Sequence, residues 1–226
     1  MSTRVGVVVF PGSNCEHDVV EAVTGLGAEA TLLWHADNDL SGVDAVVVPG
    51  GFAHGDYLRP GAIARFSPMM EAVAEFAASG GPTVGICNGF QILTEAGLLP
   101  GALQKNAGLK FLCQPAELVV QTTRSVLTSA AEVGQRLTVP INHFEGNYTC
   151  SPETLAELQA NDQIVLTYVG NPNGSVGDIA GVCNAGRNVV GLMPHPERAS
   201  HALLGSTDGN VLMQSILNSV AVAAQG

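Results

Sequence analysis

The segment at 82–91 constrains the fold of this chain most strongly. It reads PTVGICNGFQ, a short apolar run followed by Gly-Ile-Cys-Asn-Gly and a second apolar stretch. A nucleophile with a glycine two positions away on each side is typical of a nucleophile elbow, a sharp strand-to-helix turn, here with cysteine in place of serine. Cys87 is therefore predicted at a helix N-terminus, where the helix dipole and free backbone N–H groups favour a thiolate. Taken alone, the pattern also fits an inert, buried cysteine in a βα turn.

A second segment, MPHPER at 193–198, supplies the other parts of a catalytic triad. A thiol nucleophile needs a base, and the base needs an orienting group. Pro196 favours an extended conformation for His195, and in an extended chain residues i and i+2 point to the same side. Glu197 is therefore predicted to contact the imidazole nitrogen that faces away from the thiol. The apolar run at 189–193 predicts a strand that delivers this histidine to a strand end.

The apolar pattern predicts an α/β fold in one domain over residues 1–226, with a doubly wound, mostly parallel sheet flanked by helices. Strands are predicted at 5–10, 28–34, 45–48, 83–86, 179–183 and 189–193. Helices are predicted at 16–24, 63–78, 88–96 and 209–224. From Leu109 to about Tyr168 the helical rhythm fades, and short β-like runs predict an antiparallel excursion of strands or hairpins.

Composition narrows the classes of function. Twenty acidic and nine basic residues give a formal net charge of −11, which argues against nucleic acid or an anionic membrane surface as a partner. Five cysteines without a C-x-x-C pair predict neither a disulfide framework nor a metal site. The first apolar run, at 5–10, is too short for a signal-peptide core or a membrane span, so a cytoplasmic location is expected. The chain also lacks the G-x-x-x-x-G-K-[ST] pattern, and no ATP site is expected on it.

The segments around Cys87 and His195 resemble those of the class I, or triad, glutamine amidotransferases. Further segments narrow the resemblance to the small glutaminase subunits that serve a separate synthase chain in purine biosynthesis: FPGSNC at 10–15, PGGF at 49–52, GDYLR at 55–59, EGNY at 145–148 and NPNGS at 171–175. Together these segments cover nearly the whole chain. Phe144 departs from the pattern, which has a small residue there, and we place it in a peripheral hairpin away from the triad.

The resemblance assigns roles to individual positions. It implies catalytic Cys87, His195 and Glu197, an oxyanion hole made by the backbone N–H groups of Gly51 and Asn88, and substrate contacts by Gln91, Phe52 and His143. Adjacent glycines at 50–51 can expose N–H groups to a developing oxyanion, although such a pair is more often only a turn. Cys15 also follows a strand and precedes a helix, but it lacks the flanking glycines, so a structural or substrate-side role is expected for it.

The resemblance also implies partners. A large synthase subunit, carrying ATP and Mg²⁺, would use the ammonia from glutamine to convert formylglycinamide ribonucleotide into formylglycinamidine ribonucleotide, together with a small third subunit. Two alternatives remain open. One is another elbow-cysteine hydrolase, such as a peptidase or a γ-glutamyl hydrolase, which is not expected to share the NPNGS segment. The other is a non-catalytic module that regulates a partner, against which the intact set of three catalytic residues speaks.

Overall fold

The computed structural model describes residues 2–40 and 42–223, which form a large β-sheet flanked by helices. The strands are β1 (Arg4–Val9), β2 (Glu29–Trp34), β3 (Ala45–Val48), β4 (Thr83–Ile86), β5 (Ala102–Gln104), β6 (Leu112–Val120), β7 (Arg136–His143), β8 (Asn147–Thr149), β9 (Ile164–Tyr168), β10 (Ile179–Cys183) and β11 (Val189–Leu192). The helices are α1 (Glu16–Gly25), α2 (Pro68–Ala78), α3 (Asn88–Glu95), α4 (Pro152–Ala160) and α5 (Gly209–Ala223). Among the described residues, no helix is both long enough and apolar enough to span a membrane.

Nine strands form one mixed sheet in the order β2-β1-β3-β4-β11-β10-β9-β6-β7. Pairing is parallel from β2 to β11 and antiparallel from β11 to β7. The chain reverses the direction of sheet growth at β1, as in a doubly wound fold. The predicted fold class is confirmed, with one refinement. The antiparallel strands β6, β7 and β9 extend the main sheet, and among the strands of the described residues only β5 and β8 pair separately.

Burial explains why the central strands could be predicted from the sequence. Strands β3, β4, β10 and β11 are buried at every position, as expected for strands covered on both faces, and each is a continuous run rich in Val and Ile. In the edge strand β7, by contrast, buried positions alternate with more exposed ones. This alternation is the period-two pattern of a strand with one covered face.

One predicted helix differs from the structure, and a second helix was not predicted. The predicted helix at 63–78 is divided, because Pro68 holds Ser67 extended (φ −72°, ψ 149°) and α2 begins only after it. Helix α4 was missed, although Ser151 followed by Pro152 is a recognisable helix start and the Ser151 hydroxyl accepts the Thr154 N–H at 3.1 Å. The predicted end of the last helix, Ala224, lies outside the described residues.

The sheet order brings four loops to one edge. The carboxyl ends of β1, β3, β4 and β11 lie side by side, and they are followed by Cys15, Gly50, Cys87 and His195 respectively. In doubly wound folds this edge, at the point where sheet growth reverses, is the usual position of a ligand crevice.

Candidate active site

Cys87 occupies a strained elbow between β4 and α3. Its φ of 52° and ψ of −106° are rarely adopted by a residue other than glycine. The turn is held by close contacts: a Cβ atom at Gly89 would overlap the Val48 carbonyl oxygen, and one at Gly85 would lie 2.6 Å from the Gly89 carbonyl oxygen. The Cys87 N–H donates to the Leu192 carbonyl oxygen at 2.7 Å, which ties the turn to β11. The glycine spacing in the sequence therefore corresponds to a real steric requirement.

His195 and Glu197 form a buried pair beside this elbow. The His195 Nδ1 and Glu197 Oε1 atoms are 2.6 Å apart, and each side chain is at most 1% exposed. Because an ionised carboxylate only accepts hydrogen bonds, Nδ1 carries the proton. The pair is the predicted one, but its backbone differs from the prediction. Pro196–Ala199 form a 3₁₀ turn, so Glu197 reaches the imidazole from a turn and not from an extended strand.

Cys87 and His195, the predicted nucleophile and base, both lie against Gly50. A Cβ atom at Gly50 would lie 2.7 Å from His195 Cε1 and 3.5 Å from Cys87 Cβ, so nothing larger than a hydrogen fits there. Burial by itself would lower the pKa of His195, but the Glu197 carboxylate and the Cys87 sulfur raise it well above its ordinary value. The raised pKa lets His195 hold a proton taken from the Cys87 thiol, and its Nε2, which has no hydrogen-bond partner among the described residues, is the nitrogen available for that transfer.

A cavity of about 490 Å³ opens over the sulfur. Its wall includes Gly51 and the three predicted substrate contacts, Gln91, Phe52 and His143. The side chain of Asn88 is buried and is not part of the cavity wall, and its Oδ1 accepts the Ala53 N–H at 2.9 Å. The assignment of the Gly51 and Asn88 N–H groups to an oxyanion hole stays a prediction; Gly51 lines the cavity, and Asn88 directly follows Cys87.

Two of the predicted substrate contacts are held by polar networks. Gln91 Nε2 donates to the Glu145 carbonyl oxygen at 2.5 Å, and its Oε1 accepts from Asn88 Nδ2 at 2.8 Å. His143 Nδ1 lies 3.0 Å from Asn106 Oδ1, and the orientation of that amide is fixed because its Nδ2 donates to two carbonyl oxygens. Burial and the nearby His195 lower the pKa of His143 to about 4. His143 is therefore neutral, with a proton on Nδ1 and a lone pair on Nε2.

Cys15, for which a structural or substrate-side role was expected, and Glu145, which the resemblance placed near the site, both line this cavity. The fold also brings to it residues that the sequence did not assign, namely Asn14, Asp56, Lys105 and Asn142. The Cys87 thiol donates to the Asn142 carbonyl oxygen at 3.8 Å. Asn142 lies in β7 and Lys105 directly follows β5, while the others lie in connecting segments. Only the similarity segments at 10–15, 55–59 and 145–148 gave a signal for some of them.

The predicted position of Phe144 is wrong. It was placed in a peripheral hairpin, but it lines the cavity, and residues 144–146 connect β7 of the main sheet to β8 of the small sheet. This connection is not a hairpin, because its two strands pair with different partners. The NPNGS segment supports it, since Asn173 Nδ2 donates to the Gly146 carbonyl oxygen at 2.7 Å and Ser175 Oγ accepts the Tyr148 N–H at 3.0 Å.

Cys15 lines the cavity beside His195 and Glu197. Its sulfur and one ligand atom each of His195 and Glu197 lie within 4.8 Å of one another, a cluster of residue types that can bind a metal. However, the 2.6 Å separation of His195 Nδ1 and Glu197 Oε1 is that of a hydrogen bond. Two ligand atoms that each lie about 2.0–2.2 Å from a tetrahedral zinc ion would be farther apart. The separation therefore fits a hydrogen-bonded His195–Glu197 pair better than two ligands of one metal ion.

The mixed sheet, the cysteine elbow and the buried His–Glu pair define an α/β protein of the class I glutamine amidotransferase type. The family model of the CobB/CobQ-like glutamine amidotransferase domain matches residues 2–210, and the chain belongs to this family.

Relatives with a curated description agree with this membership. The chain is 58% identical to phosphoribosylformylglycinamidine synthase subunit PurQ of Rubrobacter xylanophilus over 214 residues, covering 95% of this chain and 97% of the relative. It is 54% identical to the subunit of the same name from Koribacter versatilis over 228 residues, covering 96% and 99%. Among solved structures, it matches a chain of PurLQS from Thermotoga maritima with 43% identity and a TM-score of 0.91, covering 97% and 100%.

Proposed function

We propose that this chain hydrolyses glutamine and supplies the ammonia to a phosphoribosylformylglycinamidine synthase, which converts formylglycinamide ribonucleotide into formylglycinamidine ribonucleotide. The observation that carries the proposal is the buried His195–Glu197 pair beside the strained Cys87, in a chain that is 54–58% identical to named subunits of that synthase. The high identity over full length favours this function over a peptidase, a γ-glutamyl hydrolase or a non-catalytic module.

In the first half-reaction the Cys87 sulfur forms a bond to the side-chain amide carbon of glutamine. The thiol proton passes to His195 Nε2, and the carbonyl electrons move to an oxyanion held by the Gly51 and Asn88 N–H groups. When this intermediate collapses, the bond from carbon to nitrogen breaks and His195 protonates the leaving nitrogen. The products are ammonia and a γ-glutamyl thioester on Cys87.

In the second half-reaction water replaces ammonia. His195 removes a proton from the water as its oxygen attacks the thioester carbon, and the sulfur leaves and regains a proton from His195. Glu197 keeps the proton on Nδ1 and stabilises the imidazolium in both halves. Glutamate is released and Cys87 is regenerated.

The ammonia requires an acceptor, because its release into water has no biosynthetic use. The partners in this proposal are a large synthase subunit and a small third subunit, by analogy with the relatives. ATP and Mg²⁺ belong to the synthase subunit in this scheme, and this chain contributes no residue to their binding.

The proposal is tested by separating the two nitrogen sources. In the complex reconstituted with its synthase subunits, Cys87→Ala should abolish glutamine-dependent synthesis and leave synthesis from added ammonium nearly intact. Cys113→Ala is the matched control, because Cys113 is exposed and lies outside the cavity lining; both activities should persist. If Cys87→Ala removes both activities while the complex still assembles, the proposed division of labour is wrong.

A further inference from the structure

The cavity contains more charge than the triad uses. Of the other ionisable groups in its wall, Arg59 forms a two-bond pair with Glu95, with both distances 2.6 Å, and Arg198 Nε lies 2.9 Å from Asp18. Asp56, Glu145 and Lys105 also line the cavity, and no ion pair involves them in the described part of the chain. These three side chains leave an excess of one negative charge facing the ligand space.

Asp56 is held at a defined distance from the nucleophile. Its Oδ1 accepts from Asn88 Nδ2 at 3.1 Å, and Asn88 is the residue that follows Cys87. The turn that carries the carboxylate is strained, with φ near 53° at His54, 52° at Asp56 and 70° at Leu58. Such conformations cost free energy and are often kept where they position a functional group. Burial, opposed by the Asn88 hydrogen bond and assisted by the nearby Glu145 carboxylate, raises the pKa of Asp56 to about 6.

A second observation points to a ligand that donates hydrogen bonds. His143 is only 3% exposed, lines the same cavity, and its Nε2 has no partner among the described residues. Since its Nδ1 carries the proton, Nε2 is an acceptor. A buried acceptor without a partner costs free energy, and a ligand N–H group would remove that cost. The cavity wall therefore offers a neutral acceptor near the base and anionic acceptors near Asn88.

We infer that Asp56, with Glu145, binds the α-ammonium group of the glutamine substrate, while Lys105 faces its α-carboxylate. The inference rests on the proposed function and specifies how the cavity recognises the amino-acid end of the substrate. Glutamine places its carboxamide at Cys87 and its charged end several bonds away, toward the wall that carries Asp56. The ammonium supplies the positive charge with which the Asp56 and Glu145 carboxylates pair. The His143 Nε2 lone pair accepts an N–H of the substrate.

The test compares two amides that differ only in the ammonium group. In the assembled complex, glutamate release from glutamine is measured beside glutarate release from glutaramate, which has the carboxamide and the carboxylate but no amino group. For the parent protein kcat/KM should favour glutamine at least tenfold. Asp56→Asn should raise the KM for glutamine at least tenfold with kcat within about threefold, leave glutaramate turnover nearly unchanged, and so remove most of the preference.

The controls separate recognition from structural damage. Asp178→Asn is matched in chemistry and backbone, because Asp178 also has a positive φ, of 57°, but is exposed and lies outside the cavity lining; it should leave both substrates unaffected. Glu145→Gln provides a second variant should Asp56→Asn fail to fold, and it should shift the preference in the same direction. Equal losses on both substrates would overturn the inference. Failure of the parent complex to hydrolyse glutamine would instead contradict the proposed function.

Discussion

Individual residues in this site are held in states that the isolated amino acids avoid. Cys87 has a backbone conformation that is usually adopted by glycine. The carboxylate of Asp56 is partly buried in the cavity wall. Neither feature stabilises the fold, because a positive φ costs about 1–3 kcal/mol and burial of a charge costs more when no partner is present. The site therefore reduces stability in order to orient its reacting groups, which is a common relation between activity and stability.

For Asp56 this cost depends on pH. Because burial raises the carboxyl pKa from 3.8 to about 6, the native state holds the proton more tightly than the unfolded chain does. The free energy of unfolding consequently falls as pH rises through this interval, and the full cost is present above pH 6. Asp56→Asn should make the chain more stable than its parent at pH 7.5, and the gain should shrink as pH is lowered toward 5.

Urea denaturation of the free chain at several pH values measures this difference. The variant retains an oxygen that can accept from Asn88 Nδ2, so the hydrogen bond is not lost with the charge. Asp178→Asn again serves as the control and should show no comparable pH-dependent gain. A stability gain that is the same at pH 5 and pH 7.5 would show that the charge of Asp56 is not its cause.

The residues that the sequence could predict are those whose geometry is local. The elbow around Cys87 and the spacing of His195 and Glu197 lie within a few residues each, so short-range sterics define them. Asp56 and Cys15 reach the site only because separate loops meet at one sheet edge. Their contacts depend on tertiary structure, and no periodicity or spacing in the sequence contains that information.

At the scale of elements, the elbow depends on the packing of α3 against β3. The Val48 carbonyl oxygen leaves no room for a side chain at Gly89, although this glycine is helical and does not need a positive φ. Gly89→Ala should lower the free energy of unfolding by about 1–3 kcal/mol, because overpacking forces α3 away from β3. It should also lower glutaminase activity in the complex, since the same displacement moves Cys87.

Gly25→Ala provides the comparison. Gly25 is the last residue of α1, and a Cβ atom there meets nothing within 4 Å. The change should be neutral or slightly stabilising, because alanine is the better helix former. Urea denaturation midpoints of the two variants, measured side by side, check the prediction. If both variants unfold at the midpoint of the parent, the contact between Gly89 and Val48 does not hold the elbow.

Helices and strands were also predicted best where a local pattern in the sequence marks them. The buried runs of β3, β4, β10 and β11 were located from their apolar composition, whereas the start of α3 was located from the glycine spacing around Cys87. The break before α2 and the whole of α4 were missed, although Ser67-Pro68 and Ser151-Pro152 mark both starts. Both segments were assessed from apolar periodicity, which does not mark a Ser-Pro start. Helix α4 buries only Leu158, so its sequence has little periodic pattern.

At the scale of the whole molecule, the free chain is expected to be a poor glutaminase that its synthase partner activates. Gln91, a predicted substrate contact, has both ends of its amide engaged inside the protein. The Gly50 carbonyl oxygen accepts the N–H groups of Asn14 and Cys15, each at 3.2 Å, which fixes the loop before Gly51. Assembly that moves the Glu145 segment would release the Gln91 amide for substrate.

The measurement is glutamate release with and without the synthase subunit, its nucleotide and its substrate. A change in one oxyanion-hole donor or one positioning contact alters turnover by about 10²–10³, so activation of at least 100-fold is expected on full assembly. Bovine serum albumin at the same concentration controls for nonspecific stabilisation. Equal rates under every condition would mean that the site of the free chain is already competent.

The position of β11 affects how this protein folds during its synthesis. Although β11 is the last strand in the sequence, it lies in the middle of the sheet, between β4 and β10. A nascent chain that has not yet reached Val189 therefore has two apolar strands with unpaired inner edges, the state in which strands aggregate most readily. His195 follows only three residues after β11 ends. The step that closes the sheet is thus also the step that delivers the base, so a partly synthesised chain has neither a complete sheet nor a catalytic histidine.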